Sequence, residues 1–168
     1  YQFIQVGDLL DGTLFPSDIG SQWVAAGDAI KAGATVSFHS DSPVAPAIPL
    51  LDVQCLVTRQ TPSGELHGPN QAITVDDALK GHTINAAFHM RREHDLGSIK
   101  VGKLADFVEL SADPYVAEIS TLAEQVKVLG TWSSGRKIDL DAFITQVEAI
   151  DPTEHKDLAA QAAKSKCC

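Results

Sequence analysis

The stretch Ala34-Thr-Val-Ser-Phe-His-Ser-Asp-Ser-Pro-Val44 decides how the rest of the chain is interpreted. Its first half is apolar and β-branched and follows Gly33, which predicts a buried strand over Ala34–His39. A small polar cluster then delivers one carboxylate, Asp41, to the edge of a sheet, where α/β folds bind ligands and carry out chemistry. The alternative is a strand followed by an Asp/Ser-Pro turn, in which Asp41 caps the next helix.

The composition is that of an ordinary globular domain, with 168 residues, 44% of them hydrophobic and 21% charged. A formal net charge of −9 without a basic stripe argues against nucleic acid and anionic membrane as partners. No apolar run approaches the ~18 residues of a membrane helix. The cysteines, Cys55 and the pair Cys167-Cys168, form no disulfide framework, which favours a reducing, cytoplasmic location. Because the first residue is Tyr1, we expect a piece of a longer protein or a processed product.

Periodicity and turn residues predict helices first and short strands afterwards. A helix over Ser17–Ala32 should end at Gly33, and a buried helix over Leu50–Arg59 has Pro49 in its first turn. The pattern changes near Ile99, so two structural units are expected to meet within the chain. The other predicted elements are a short strand or extended entry segment at Tyr1–Val6, helices at Thr74–Lys80, Ile84–Glu93 and Asp139–Ile150, and strands at Phe107–Leu110, Gln125–Trp132 and from Arg136.

Six short motifs follow one another along the chain: His39-Ser-Asp-Ser-Pro-Val44, Val57-Thr-Arg59, Ala78-Leu79, Thr83-Ile-Asn-Ala-Ala87, Leu96-Gly-Ser-Ile-Lys-Val-Gly-Lys-Leu-Ala-Asp106 and Val128-Leu-Gly-Thr-Trp-Ser-Ser-Gly-Arg136. Together they resemble the carboxyl-terminal third of a metal-dependent amidohydrolase. The most similar branch is amidohydrolase family 3, which includes N-substituted formamide deformylases. Each motif alone is weak, whereas their order and spacing together are specific.

This resemblance implies an α/β fold: the C-terminal part of a TIM (β/α)8 barrel plus strands of a small composite β-sandwich, with a C-terminal helical tail. Residues 1–98 would hold the last strands and helices of the barrel, with Ala34–His39 as its eighth strand. Residues 99–138 would supply strands of the sandwich, and residues 139–168 would form the tail. The chain is shorter than the ~250 residues of a full barrel. The implied partner is therefore the remainder of the barrel or a second copy in a homo-oligomer.

The resemblance carries over one site residue, Asp41, which would ligate a catalytic divalent metal, zinc by default, and take a proton from the attacking water. His39 shares a strand face with Asp41, and we expect either a satisfied buried histidine or a partner of a metal ligand. Ser40 and Ser42 would orient the carboxylate or its loop. Arg59 is interpreted as an ion-pair member or a substrate contact. The other histidines lack metal-ligand spacing and are expected to be ordinary surface or cap residues: His67, His82, His89, His94 and His155.

Two functions stay open at this point. The first is the carboxyl-terminal part of a hydrolase that cleaves an amide-type, non-peptide C–N bond of a small molecule through a metal-activated water. The chain has no His-x-His pair, which the family uses as metal ligands, so it should lack most ligands on its own. The second is a truncated, non-catalytic packing or interaction fragment that oligomerises through exposed strand edges.

Overall fold

The computed structural model describes residues 2–10, 12–42, 44–61 and 63–150, with side chains from residue 6 to residue 146 within those ranges. The predicted tail after Ile150 lies outside the described residues. None of the helices in these ranges is long and apolar enough to span a membrane. In chain order the elements are α1 (Gln2–Leu10), α2 (Ser17–Gly20), α3 (Ala26–Lys31), α4 (Pro49–Thr58), a 3-10 turn (Pro69–Gln71), α5 (Val75–Gly81), α6 (Ile84–His89), β1 (Phe107–Leu110), a second 3-10 turn (Ile119–Thr121), α7 (Leu122–Gln125), β2 (Val128–Ser133), β3 (Arg136–Lys137) and α8 (Leu140–Ile150).

Helix α4 is the central element of the fold, and its prediction is confirmed. Pro49 lies in its first turn, and every residue from 51 to 56 is buried. The buried amide of Gln54 donates to the carbonyl of Ser120 at 2.7 Å and accepts from the N–H of Ala123 at 3.1 Å, which ties α4 to α7. Each buried leucine or valine contributes roughly 1.5–3 kcal/mol. The main core cluster consists of Ala26, Val53, Leu56, Ile73, Ala78, Leu122 and Val126.

The helix predicted over Ser17–Ala32 is interrupted and forms α2 and α3 instead. Val24, between them, has a left-handed φ of 54°. The carbonyls of Trp23 and Val24 accept hydrogen bonds from the buried guanidinium of Arg59 at 2.8 and 3.2 Å. Carbonyl groups that are turned towards Arg59 cannot continue a helical hydrogen-bond ladder, so a distant part of the chain breaks this helix.

Gly33 ends α3 as predicted. Its φ is +82°, which glycine adopts without strain. The amide of Gly33 donates to the carbonyl of Ile30 at 2.8 Å, and the amide of Ala34 donates to the carbonyl of Ala29 at 3.0 Å. These two bonds form a Schellman motif, which directs the chain into the Ala34–Val44 stretch.

Helices α5 and α6 follow the local sequence signals with one difference. The hydroxyl of Thr74 accepts from the N–H of Asp77 at 3.0 Å, so the predicted cap of α5 is confirmed. Helix α6 ends at His89 and not at Glu93, because Arg91 takes a left-handed φ of 58° and closes the last turn. The predicted helix is therefore four residues too long at its C-terminal end.

The three strands form one antiparallel sheet in the order β1-β2-β3. Ser134 and Gly135, with φ of 51° and 77°, form the two-residue turn between β2 and β3, and positive φ at both positions is typical of a type I′ hairpin. Phe107 stacks on Trp132 with 4.8 Å between ring centroids. The predicted hairpin is confirmed.

The stretch over Ala34–His39 is assigned to no strand, because none of the described residues forms a ladder with it. A parallel strand needs hydrogen-bonded neighbours. The strand considered for Tyr1–Val6 is wrong, since Gln2 opens helix α1. The described chain thus combines helices with one small antiparallel sheet, while the α/β barrel, the sandwich and their boundaries stay predictions.

Candidate active site

Asp41 lies in a turn that follows the Ala34–His39 segment. Its φ is 57°, which is uncommon for residues other than glycine but better tolerated by aspartate than by most. Its N–H donates to Nδ1 of His39 at 3.0 Å, and its carbonyl accepts from the N–H of Val44 at 2.8 Å. The alternative, in which Asp41 caps the next helix, is wrong, because Ile48 occupies the N-cap position of α4 and no described side chain caps that helix.

The segment before Asp41 packs beside α5 and α6. The amide of Asn85 donates to the carbonyl of Val36 at 2.9 Å. The ring of Phe38 lies over Gly81, where an added Cβ would come within 2.3 Å of Cδ2. Burial alternates from residue 38 to residue 41, with residues 38 and 40 on the covered side. Residues 38–41 therefore alternate as in a strand, although none of the described residues forms a ladder with them.

His39, Ser40 and Ser42 surround the Asp41 turn in different ways. His39 is exposed, so the expectation of a buried histidine is wrong. An amide N–H can only donate, so Nδ1 of His39 accepts from Asp41, and the neutral ring carries its proton on Nε2. Ser40 is buried, whereas Ser42 is exposed. The hydrogen bond of His39 is therefore to the backbone of Asp41.

A buried acid and a histidine lie behind this segment. The sequence interpretation did not single out the acid, Asp52, whereas the histidine, His82, was expected to be a surface or cap residue and occupies the C-cap of α5. Asp52 on α4 is 3% exposed, and its Oδ2 lies 3.9 Å from Nε2 of His82. Burial raises the pKa of Asp52 and lowers the pKa of His82. The imidazole of His82 also lies 6.1 Å from the ring of Phe38. The available signal was a single carboxylate within the apolar run of α4, which predicts a buried acid.

Arg59 is a clamp between loops. It is 1% exposed, and its guanidinium donates to the carbonyls of Trp23, Val24 and His67 at 2.8–3.2 Å. Burial lowers the pKa of Arg59 to about 10, so the side chain is still charged at neutral pH. These contacts are directed to the backbone of the chain itself, which is the arrangement of a structural residue.

The donor set for a metal is incomplete in the described part of the chain. No group of three or more His, Cys, Asp or Glu side chains there could hold a metal ion. A catalytic zinc site takes three protein ligands and keeps one open position. Asp41 suits the role of one oxygen ligand because its carboxylate is exposed beside the end of the segment. The described residues therefore provide at most part of such a centre.

An open cavity of about 670 Å³ lies elsewhere, between α5, α6 and the turns after residue 93. Thr35, Lys100 and Tyr115 are among its lining residues, whereas Asp41 is not. The cavity is therefore separate from the Asp41 turn.

Comparisons with known proteins agree on one protein family. The sequence model of the amidohydrolase family matches residues 3–138. The chain is 36% identical over 106 residues to the N-substituted formamide deformylase of Arthrobacter pascens, covering 63% of this chain and 19% of that protein. It is 35% identical over 114 residues to Protein LONG AFTER FAR-RED 3 of Arabidopsis thaliana, covering 65% and 18%. It is 34% identical over 97 residues to the putative amidohydrolase YtcJ of Bacillus subtilis (strain 168), covering 55% and 18%.

The chain thus spans about a fifth of the length of the curated relatives it matches. No solved structure matches it significantly.

Proposed function

This chain belongs to the amidohydrolase family, and we propose that it forms the carboxyl-terminal part of a metal-dependent hydrolase that cleaves an amide-type, non-peptide C–N bond of a small molecule. The observation that carries the proposal is the Asp41 turn. It presents an exposed carboxylate directly after the segment that the family resemblance interprets as the eighth barrel strand. The family match over residues 3–138 supports the same interpretation.

The proposed architecture assigns residues 1–98 to the last strands and helices of the barrel, 99–138 to the sandwich and 139–168 to a helical tail. Both proposed units expose apolar side chains, which supports the proposal that a neighbouring segment covers each of them. In the first unit Leu14 and Ile19 are 65% and 58% exposed, and in the sheet Val108 and Leu129 are each 54% exposed. Groups of this kind are normally covered in a complete domain. The covering partner is the remainder of the barrel or a second copy. The proposed location is the cytoplasm, in keeping with a sequence whose cysteines form no disulfide framework.

The proposed mechanism gives Asp41 two roles. Its carboxylate is one ligand of a divalent metal, for which we propose zinc, and it accepts a proton from the attacking water. The metal, when bound, supplies a water molecule whose pKa is lowered towards neutrality. His39 fixes the turn through the N–H of Asp41, and Ser40 and Ser42 shape the loop on either side of the carboxylate. The remaining ligands come from outside the described residues.

A non-catalytic interaction fragment is the second candidate, and the sheet favours it. Strands β1 and β3 are its edges, and Val108, Val128 and Leu129 are half exposed or more. Edges of this kind pair readily with other chains. The intact mass of the protein from its natural source separates the two functions. A mass near 17.9 kDa without a companion chain favours the fragment.

The enzymatic proposal is tested on the complete gene product that carries this sequence, loaded with Zn²⁺ and supplied with N-substituted formamides and other small amides. Asp41→Asn should lower turnover by on the order of 100-fold or more, because a proton-transfer group is lost. Because this carboxylate is exposed, we expect the Asp41→Asn variant to fold. Asp113→Asn is the matched control, since an amide oxygen can still accept the N–H of Tyr115 as Asp113 does at 2.8 Å.

Metal-independent turnover, or no hydrolysis of any amide in the panel, would contradict the proposal of a metal-dependent hydrolase. Unchanged turnover in Asp41→Asn would remove Asp41 from the mechanism.

A further inference from the structure

The motif Thr83-Ile-Asn-Ala-Ala87 has no task in the proposed mechanism, although it contacts the segment that leads to Asp41. Its Asn85 is partly buried, and the side-chain amide donates to the carbonyl of Val36 at 2.9 Å. A strand carbonyl ordinarily accepts from the backbone of a neighbouring strand. Within the described ranges no ladder reaches this segment, so the side chain of Asn85 supplies the hydrogen bond instead.

Two further contacts hold the next two residues of the segment. Oγ of Ser37 is hydrogen-bonded to Nδ1 of His89, with 2.7 Å between the two atoms. His89 follows Asn85 by four residues and therefore lies on the same face of α6. The ring of Phe38 packs directly over Gly81 at the end of α5. Three consecutive residues are thus held by α5 and α6.

Helix α6 is itself held firmly in place. The hydroxyl of Thr83 donates to the carbonyl of Leu79 at 2.7 Å, which joins the start of α6 to α5. Gly97 lies against the helix so closely that a Cβ there would come within 2.8 Å of Cβ of Ala87 and of Cα of Ile84. The helix can therefore serve as a fixed support for the segment.

The position of the segment along this support decides where Asp41 lies. A slip by one residue moves an extended chain by about 3.3 Å and turns its side chains to the opposite face. Asp41 follows Phe38 by three residues, so a slip at Phe38 would carry Asp41 with it. A displacement of about 1 Å is enough to slow a reaction by about 100-fold.

We propose that Asn85 is a positioning residue, which together with His89 fixes the register of the Ala34–His39 segment on α6 and thereby the place of the Asp41 carboxylate. The effect on turnover rests on the proposed function, whereas the effect on the segment does not.

The experiment compares Asn85→Leu and Ser37→Ala in the complete gene product, because each variant removes one of the two side-chain hydrogen bonds. Hydrogen–deuterium exchange, measured by mass spectrometry of peptides, reports on residues 34–41. Exchange there should become about 2- to 10-fold faster in both variants, the factor that corresponds to one ordinary hydrogen bond. Exchange in α4 should stay unchanged. Leucine is a strong helix former, so α6 should persist in Asn85→Leu.

Turnover of the zinc-loaded protein is the second measurement, with the N-substituted formamide that it hydrolyses fastest. Turnover should fall by about 10- to 100-fold in Asn85→Leu with little change in KM, because the carboxylate is displaced from the reacting atoms. Ser37→Ala should cause a smaller loss, since the hydrogen bond between Ser37 and His89 is exposed.

Gln54→Leu is the matched control. The amide of Gln54 also donates to a backbone carbonyl, that of Ser120 at 2.7 Å, but this bond ties α4 to α7. The variant should speed up exchange in α4 and leave both turnover and exchange at residues 34–41 unchanged.

Unchanged exchange at residues 34–41 in both variants would overturn the proposal. Equal acceleration in the segment and in α4, or loss of the folded state in both variants, would do the same, because the two residues would then support the fold as a whole. If Asp41→Asn abolishes turnover while Asn85→Leu keeps it, Asn85 does not position Asp41. If Asp41→Asn keeps full activity while residues 34–41 still exchange faster in Asn85→Leu, the proposed function fails and the support of the segment by α6 stands.

Discussion

Gly81 lies directly beneath the ring of Phe38, and a Cβ on Gly81 would come within 2.3 Å of Cδ2 of that ring. Gly81→Ala should therefore destabilise the chain although alanine is the better helix former. Overpacking costs about 1–3 kcal/mol, whereas alanine gains about 1 kcal/mol over glycine within a helix. Urea unfolding measures the difference.

The double variant Gly81→Ala/Phe38→Leu is the control, because a smaller side chain at position 38 removes the clash. It should recover part of the free energy of unfolding lost in Gly81→Ala. If Gly81→Ala is as stable as the unmodified chain or more stable, the ring of Phe38 moves aside freely and the predicted clash is wrong.

Arg59→Met should lower the free energy of unfolding by several kcal/mol, because each buried acceptor left without its donor costs about 1–3 kcal/mol. Three carbonyls that now accept from the guanidinium would be left without that donor. Arg59→Lys should recover only part of the loss, since an ammonium lacks the planar fork. Arg136→Met on the exposed strand β3 should change stability by less than about 0.5 kcal/mol. Chemical denaturation of all three variants is the measurement, and equal losses at positions 59 and 136 would contradict the clamp.

The free energy of unfolding at acidic pH should depend on Asp8. Hydrogen bonds from the hydroxyls of Thr61 and Ser63 lower the pKa of Asp8 in the folded chain. Because the folded pKa is depressed, this contribution is fully present above the unfolded value of about 3.9 and is lost as the pH falls through the folded pKa. The side chain is 37% exposed, so solvent screening keeps the effect below about 1 kcal/mol.

Asp8→Asn should therefore be less stable than the unmodified chain at pH 6 and should approach it near pH 3. The control is Asp18→Asn, which removes an exposed carboxylate on α2. Parallel stability profiles for the two variants would refute a special role for Asp8.

His82 should make the chain less stable in mild acid. Burial lowers the pKa of His82, so the unfolded chain binds a proton more readily than the folded chain does. The free energy of unfolding should then decrease as the pH falls below about 6.5, the ordinary histidine value, until the folded pKa is reached. Asp52 faces His82 at 3.9 Å, and burial raises the pKa of Asp52, which gives a contribution of opposite sign.

The difference between the unmodified chain and His82→Gln isolates the histidine, because glutamine does not titrate. The variant should have the flatter profile between pH 7 and pH 5. His94→Gln, at a side chain that is 73% exposed, should leave the profile unchanged.

Local signals in the sequence predicted the elements that local chemistry determines. Pro49 opens α4, Thr74 caps α5, Gly33 ends α3, and the Ser134-Gly135 turn joins β2 to β3. Each of these depends on residues within one turn of the chain.

The elements that were missed depend on distant residues. The helix around Val24 is broken by Arg59, which lies 35 residues away along the chain. The strand over Ala34–His39 needs neighbours that the described chain does not provide. In the candidate site, the sequence indicated Asp41 and His39 but not Asp52. The partner of this carboxylate is brought to it only when α4 and α5 pack together, so the apolar run alone does not reveal it.

The left-handed backbone at Asp41 has a consequence for how this position evolves. The conformation costs an ordinary L-residue roughly 1–2 kcal/mol, and glycine adopts it freely. Selection for heat resistance alone would favour glycine at position 41, where the side chain is exposed and adds little packing. Under the proposed function, an aspartate at this position keeps its carboxylate at the expense of thermal endurance.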